Sequence, residues 1–250
     1  MLRETLILEV DGEKNTLRLG ERLSKQQVHE FLNEFLMAAQ PLRRVFAIIP
    51  ACGASRRMGI SKLLLDLGGR TLIRRLINSL NVSQIAAVCV LVRADDQKLR
   101  DELNTCGDVE VVIADPTPSD MKESVQQLLE SISTKWTPTD RDAWLLIPGD
   151  HPIVESSVME RLLEESRKHA DQIVVPIHQR RRGHPTVFPW RLTSEVFQLP
   201  DDQGVNALLH GAEKVVEVPC PEPSVLWDID TPEDYAAICS QFDEPRAHFE

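Results

Sequence analysis

The stretch "IIPACGASRRMGISKLL", Ile48 to Leu64, decides how the rest of the chain is read. An apolar run, "VFAIIP", stops at small residues. Two arginines, a glycine, a lysine and further leucines follow. A buried strand that empties into a short, cationic, glycine-containing loop is one way for a chain to hold an anion. Glycine lets the backbone approach a ligand and expose N–H donors, and Arg and Lys neutralise phosphate charge. Gly53, Ser55, Arg56, Arg57, Gly59 and Lys62 supply those parts. The order GxxxxGK[ST] is not met, because Ser61 precedes Lys62, and no GxGxxG is present. A solvated turn with incidental arginines is the plain alternative.

Working outward, the segments on either side alternate. Strand-like runs "VFAIIP", "IAAVCVLV", "VEVVIA", "AWLLIP" and "QIVVPI" are separated by helical patterns "TLIRRLINSL", "ADDQKLRDELN", "SDMKESVQQLLESI" and "ESSVMERLLEESRKHA". Near-continuous apolar strands with helices between them imply a largely parallel sheet covered on both faces, an α/β fold. Ligands of such sheets bind beyond the carboxyl ends of the strands. After about residue 183 the pattern loosens into "GHPTVFPW", a short helix, "DDQGVNALL", a strand "KVVEVP" and "VLWDIDTPEDYAAI". Residues 1–41 read as a separate extension. "TLILEVDGEKNTLRL" suggests two strands joined at Asp11-Gly12, and "SKQQVHEFLNEFLMAAQ" suggests a helix capped by Ser24. The main domain is placed at 42–243 and a tail at 244–250.

Composition narrows the classes. The 250 residues carry 39 acidic against 28 basic side chains, a net charge of −11, which disfavours a general nucleic-acid binder. Hydrophobic content of 42% supports a real core. No apolar run is long enough for a bilayer, and "MLRETLILEV" is too short and charged for a secretory signal. Five scattered cysteines without a CxxC argue for a reducing compartment, with neither a disulfide framework nor structural zinc. The expectation is a cytoplasmic protein.

Three other loops could carry chemistry. "LLIPGDHPIV" ends an apolar run at Asp150, which could hold Mg²⁺ or simply cap a turn. "WDIDTPEDY" sets Asp228 and Asp230 two apart, on one face if extended. Asp230 could be a second metal carboxylate or a helix N-cap, while Glu233 and Asp234 compensate the helix dipole. "QRRRGHPTVF" places Arg180 to Arg182 before Gly183, His184 and Pro185, either a solvated basic hairpin or a clamp for an anionic acceptor.

Together these loops resemble the MobA-like nucleotidyltransferases, especially their molybdenum cofactor cytidylyltransferase branch. The family signature LAAGxSxRMGxxK reads here "PACGASRRMGISK", Pro50 to Lys62. A GDxP-like loop is Gly149 to Pro152, an [NG]xP loop is Gly183 to Pro185, a DxGxxxLL-like element is Asp202 to Leu209, and DIDTPEDY is intact from Asp228 to Tyr235. The resemblance spans roughly residues 45 to 240. It implies a GT-A/Rossmann-like nucleotidyltransferase fold and transfer of a nucleoside monophosphate to a phosphorylated acceptor such as molybdopterin, with release of pyrophosphate. It implies that Ala51, Cys52, Gly53, Ala54, Ser55, Arg57, Lys62, Met121 and Ser124 contact the nucleotide. Arg57, Lys62 and Asp150 would act in the chemistry, and Asp150 and Asp230 would bind Mg²⁺. Arg182, Gly183 and His184 would face the acceptor. Cys52 and Pro50 depart from the usual small and aliphatic residues, close to where the base is chosen; CTP is the donor the resemblance favours. A sugar or alcohol phosphate as acceptor, and a non-catalytic nucleotide-binding accessory protein, are the rival readings.

Overall fold

The structure is a computed structural model that describes residues 5–10, 13–18, 43–53, 61–82, 84–210 and 215–243. Two compact units divide the chain, Met1–Leu42 and Arg43–Glu250. In the first, β1 (Thr5–Val10) pairs antiparallel with β2 (Glu13–Arg18) in a register running from Thr5 opposite Arg18 to Val10 opposite Glu13. The turn expected at Asp11-Gly12 and the helix expected after Ser24 lie outside the described residues.

The second unit is built on an eight-stranded mixed sheet. The strands are β3 (Val45–Pro50), β4 (Ile85–Arg93), β5 (Val109–Ala114), β6 (Ala143–Leu146), β7 (Ile173–His178), β8 (Arg181–Arg182), β9 (Thr186–Pro189) and β10 (Val215–Pro219). Their order is β10-β7-β9-β6-β3-β4-β5, with β8 paired to β7. The pairs β3–β4, β3–β6, β4–β5 and β10–β7 are parallel. β3 lies between β4 and β6, so all six of its residues are buried, as its unbroken apolar sequence requires.

The helices are α1 (Leu72–Ser79), α2 (Gln97–Leu103), α3 (Met121–Trp136), α4 (Ser156–Lys168), α5 (Thr193–Gln198) and α6 (Pro232–Asp243). They pack two cores. One centres on Ile49, Leu67, Leu76, Leu99, Leu145 and Leu162. The other centres on Phe46, Ile48, Leu91, Leu128, Trp144 and Phe188. Adjacent residues of β3 therefore serve opposite faces. α3 shows why the sequence stays helical: Asp120 caps it by accepting from the Glu123 N–H at 2.8 Å, and Val125, Leu128, Leu129 and Ile132 fall on one buried face.

Within the largely parallel sheet that was expected, β9 and the two-residue β8 run antiparallel to their neighbours. "TVFP" lies antiparallel to both β6 and β7 and separates them. Its signal is weak because it is four residues long, bounded by prolines, and has no alternation to distinguish it from a loop. All four residues are buried, and Phe188 stacks on Trp144 of β6 with ring centroids 4.0 Å apart and planes 8° from parallel. Such a pair adds about 1 kcal/mol to the burial of its area.

The entry to β3 is held by Asp142. Its carboxylate accepts from the Arg44 guanidinium at 2.7 and 3.1 Å and from the Thr139 N–H at 2.7 Å. Burial opposes ionisation of Asp142, but Arg44 and Thr139 outweigh it and hold the carboxyl below its ordinary value. That stability is fully present above the unfolded aspartate value of about 4 and is lost as pH falls toward the folded value. Asp142→Ala should cost about 2 kcal/mol at pH 7, because it removes the buried acceptor that Arg44 and Thr139 share. In urea melts the gap between parent and variant should shrink below about pH 4; a gap independent of pH would mean that the carboxylate charge contributes nothing.

Candidate active site

The site forms where the loops after β3 and β6 meet the segment leading into α6. Lys62 opens a single 3₁₀ turn, Lys62–Leu64. Leu63 beside it is 5% exposed and packs over Gly149. A Cβ at Gly149 would sit 3.1 Å from the Pro50 carbonyl oxygen and 3.4 Å from Leu63, so a side chain there would push the loop off its neighbours. With Leu63 anchored inward, Lys62 reaches across to the carboxylates. Its Nζ donates to Asp150 Oδ2 at 2.6 Å and to Asp230 Oδ1 at 3.1 Å. Burial pulls the ammonium pKa down, and the two carboxylates more than reverse it, leaving Lys62 raised and fully charged at neutral pH.

The capping role that its position suggests for Asp230 is taken by the next residue. The cap of α6 is Thr231, whose hydroxyl accepts from the Asp234 N–H at 3.1 Å. Asp234 reaches back to the Thr231 N–H at 2.8 Å and the Asp230 N–H at 3.2 Å. This reciprocal pair closes the first turn and fixes the Asp230 backbone, and the Asp230 carboxylate accepts from Lys62. Asp234 thus does more than compensate a dipole.

Asp228 is exposed, and its carboxyl is raised by burial first, then by Asp230 and Asp150. It lines a separate groove of about 540 Å³ with Arg181 and Trp227. Carboxylates are therefore crowded around one ammonium. Among the described residues, no group of three His, Cys, Asp or Glu side chains is gathered closely enough to hold a metal alone. One or two carboxylates that leave positions for phosphate oxygens suit Mg²⁺, a hard cation that rarely takes an all-protein cage. Asp150 and Asp230 fit that donor set.

Beside them opens a cavity of about 250 Å³. Of the residues singled out in the sequence, it brings together Ala51, Cys52, Gly53, Lys62, Met121, Ser124 and Asp150. Arg57, Ala54 and Ser55 lie outside the described residues. Met121 is 44% exposed toward the opening, whereas the Ser124 hydroxyl is turned back to the Asp120 carbonyl at 2.9 Å. Burial pushes the Cys52 thiol up to about 11, so it is protonated at neutral pH and no nucleophile. Five further residues contribute that the sequence did not single out. Pro118, Ser119 and Asp120 close the far wall ahead of α3. Arg93 at the end of β4 donates to the Cys52 carbonyl at 3.2 Å. Lys122, 5% exposed, ties α3 to the Pro200 carbonyl at 2.8 Å. The legible signals were a helix N-cap and charges at strand ends.

The residues read as an acceptor clamp have these contacts. Arg182 pairs with Glu217 at 2.8 Å and with the Leu209 carbonyl at 3.1 Å. A Cβ on Gly183 would collide with the Val225 carbonyl. Burial lowers the pKa of His184.

A model of the MobA-like NTP transferase domain matches residues 47–217. The chain belongs to this family. A probable molybdenum cofactor guanylyltransferase of Natranaerobius thermophilus is 32% identical over 133 residues, which are 53% of this chain and 60% of that protein. The chain thus matches under two thirds of that relative's length. Among solved structures, Rv0371c from Mycobacterium tuberculosis H37Rv superposes with a TM-score of 0.67 at 22% identity, covering 79% of this chain and 98% of the other. A nucleotidyl transferase from Methanothermobacter thermautotroptrophicus gives 0.65 at 22%, covering 80% and 97%. These structures share the nucleotidyltransferase fold, and the family's matched segment contains Asp150, Lys62 and the cavity wall.

Asp234→Ala should lower stability by about 1 kcal/mol through loss of the cap. Thr231→Val added to it should cost little more, because both remove one reciprocal pair. Fully additive losses in urea titrations would show that the two side chains act independently.

Proposed function

We propose that this chain is an Mg²⁺-dependent nucleotidyltransferase that moves a nucleoside monophosphate from a nucleoside triphosphate to a small phosphorylated acceptor and releases pyrophosphate. The observation that carries the reading is Lys62 held between Asp150 and Asp230 at the mouth of a cavity walled by the loop after β3. An acceptor phosphate oxygen attacks the α-phosphorus in line, a bond to that oxygen forms, and the bond to the bridging oxygen of pyrophosphate breaks. No covalent nucleophile is needed, in keeping with the protonated Cys52 thiol. The glycine and alanine backbone after β3 admits the nucleotide at close range. Lys62 neutralises charge that builds on the leaving pyrophosphate. Asp150 and Asp230 hold the lysine in place and would hold the metal. When bound, Mg²⁺ supplies charge neutralisation and orientation to the phosphates.

The acceptor reading follows the relative, whose name points to the molybdenum cofactor; molybdopterin is the acceptor we propose first. A sugar or alcohol phosphate is the second. For the donor, the branch resemblance favours CTP and the relative's name favours GTP, and melting curves decide between them. Ligand that binds only the folded state raises its melting temperature. One of CTP, GTP, ATP and UTP should raise it in an Mg²⁺-dependent way. A shift with none of them would count against catalysis and favour a degenerate site.

Asp150→Ala should abolish Mg²⁺-dependent pyrophosphate release while the protein stays folded; an unchanged rate removes the metal assignment. Lys62→Ala should weaken triphosphate binding about tenfold more than monophosphate binding, the scale of one charge-assisted hydrogen bond. Equal losses would place Lys62 away from the β- and γ-phosphates.

A further inference from the structure

Two imidazoles lie behind the carboxylates without lining the cavity. His151 directly follows Asp150 and is 2% exposed. His184 precedes β9, and the two rings stand edge to face with centroids 6.3 Å apart. Nε2 of His151 and Nδ1 of His184 are buried and have no hydrogen-bond partner among the described residues. An orphaned buried nitrogen is costly, and an apolar side chain of the same size would avoid that cost. The polar edges of these rings are therefore expected to do something that an apolar residue could not.

Their other contacts show what. Main-chain acceptors of Trp227 and Ile153 face the His151 ring, and the main chain of Leu146 faces the His184 ring. Trp227 is the residue before Asp228. Three further contacts join the same segments. The Ile229 N–H donates to the Asp150 carbonyl at 3.2 Å, the His184 N–H donates to the Val225 carbonyl at 2.8 Å, and Gly183 presses so closely on Val225 that a side chain would collide with it. Residues 225–229 are thus laid along 149–151 and 183–184. Asp150 and Asp230 come from segments 80 residues apart. Their spacing depends on how the main chains of those segments lie on each other, and the Ile229 N–H to Asp150 carbonyl bond joins them directly.

We infer that His151 is a positioning residue that sets the spacing of Asp150 and Asp230 through the Trp227 main chain, with His184 and Gly183 bracing it from behind. The inference rests on the carboxylate pair being the metal site. Support of this kind behind metal ligands is worth about 10–100-fold in affinity or activity.

The test is binding of Mn²⁺ alone, followed by water-proton relaxation, with melting temperature measured on the same samples. His151→Phe keeps the volume and removes the polar edge; it should lose at least tenfold in Mn²⁺ affinity while still melting cooperatively. His151→Asn, whose amide mimics Nδ1, should stay within about threefold of the parent, a rescue that a role in filling space would not produce. If the Phe variant does not fold, His151→Gln, which carries its amide one atom further out, should show the tenfold loss instead. A folded Phe or Gln variant with parental Mn²⁺ affinity overturns the inference, as does an Asn variant as impaired as Phe. Asp150→Asn separates the two layers. If it loses Mn²⁺ binding while the His151 variants do not, only the positioning role falls. If it binds Mn²⁺ as the parent does, the metal reading falls and the inference with it.

Discussion

Lys62 between Asp150 and Asp230 is the contact on which the account of this site depends. Three parts of the chain must be in place before it can form: the loop after β3, the loop after β6 and the segment leading into α6. Each is held by a different device. Leu63 is buried and fixes the turn from which Lys62 projects. Gly149 lets the Asp150 loop lie against the end of β3. The Thr231–Asp234 cap fixes the Asp230 backbone. An ammonium shared by carboxylates, with Asp228 destabilised as an anion close by, is a poised arrangement. It is satisfied without ligand, yet each partner has a stronger alternative once phosphate and a divalent cation arrive.

The sheet explains why these parts converge. β3, β4 and β6 run parallel, so their carboxyl ends, and the loops that follow, lie at one edge. β9 adds a second requirement. By inserting antiparallel between β6 and β7 it brings the Gly183–His184 turn to the same edge, against Val225 and the approach to Asp228. The same insertion buries the Trp144–Phe188 stack, so the packing of the core and the framing of the site share one strand.

How much of this was legible varies with the length of the signal. The parallel strands and their helices show in the sequence because burial on both faces forces long apolar runs. Lys62, Asp150 and Asp230 show because charge at a strand end or helix start is conspicuous against apolar neighbours. β9 was not legible: four residues that follow one proline and end in another carry too little pattern, and its pairing depends on β6 and β7, which lie outside it in sequence. The function of Asp234 was half legible, since a carboxylate in a first turn compensates a dipole whether or not it also closes a cap. The Arg180–Arg182 run showed its charge but not its partners; that Arg182 is engaged by Glu217 depends on β8 meeting β10 through β7. The burial of His151 comes from the tertiary fold and leaves no trace in "GDHP".

The most direct test of the central claim is a crystal structure with Mn²⁺ and the nucleoside triphosphate that raises the melting temperature, with the metal located by its anomalous scattering. The account expects manganese at Asp150 and Asp230, with Lys62 released from at least one carboxylate and in contact with a phosphate oxygen. Manganese bound elsewhere, with Lys62 still bridging the two aspartates, would contradict it.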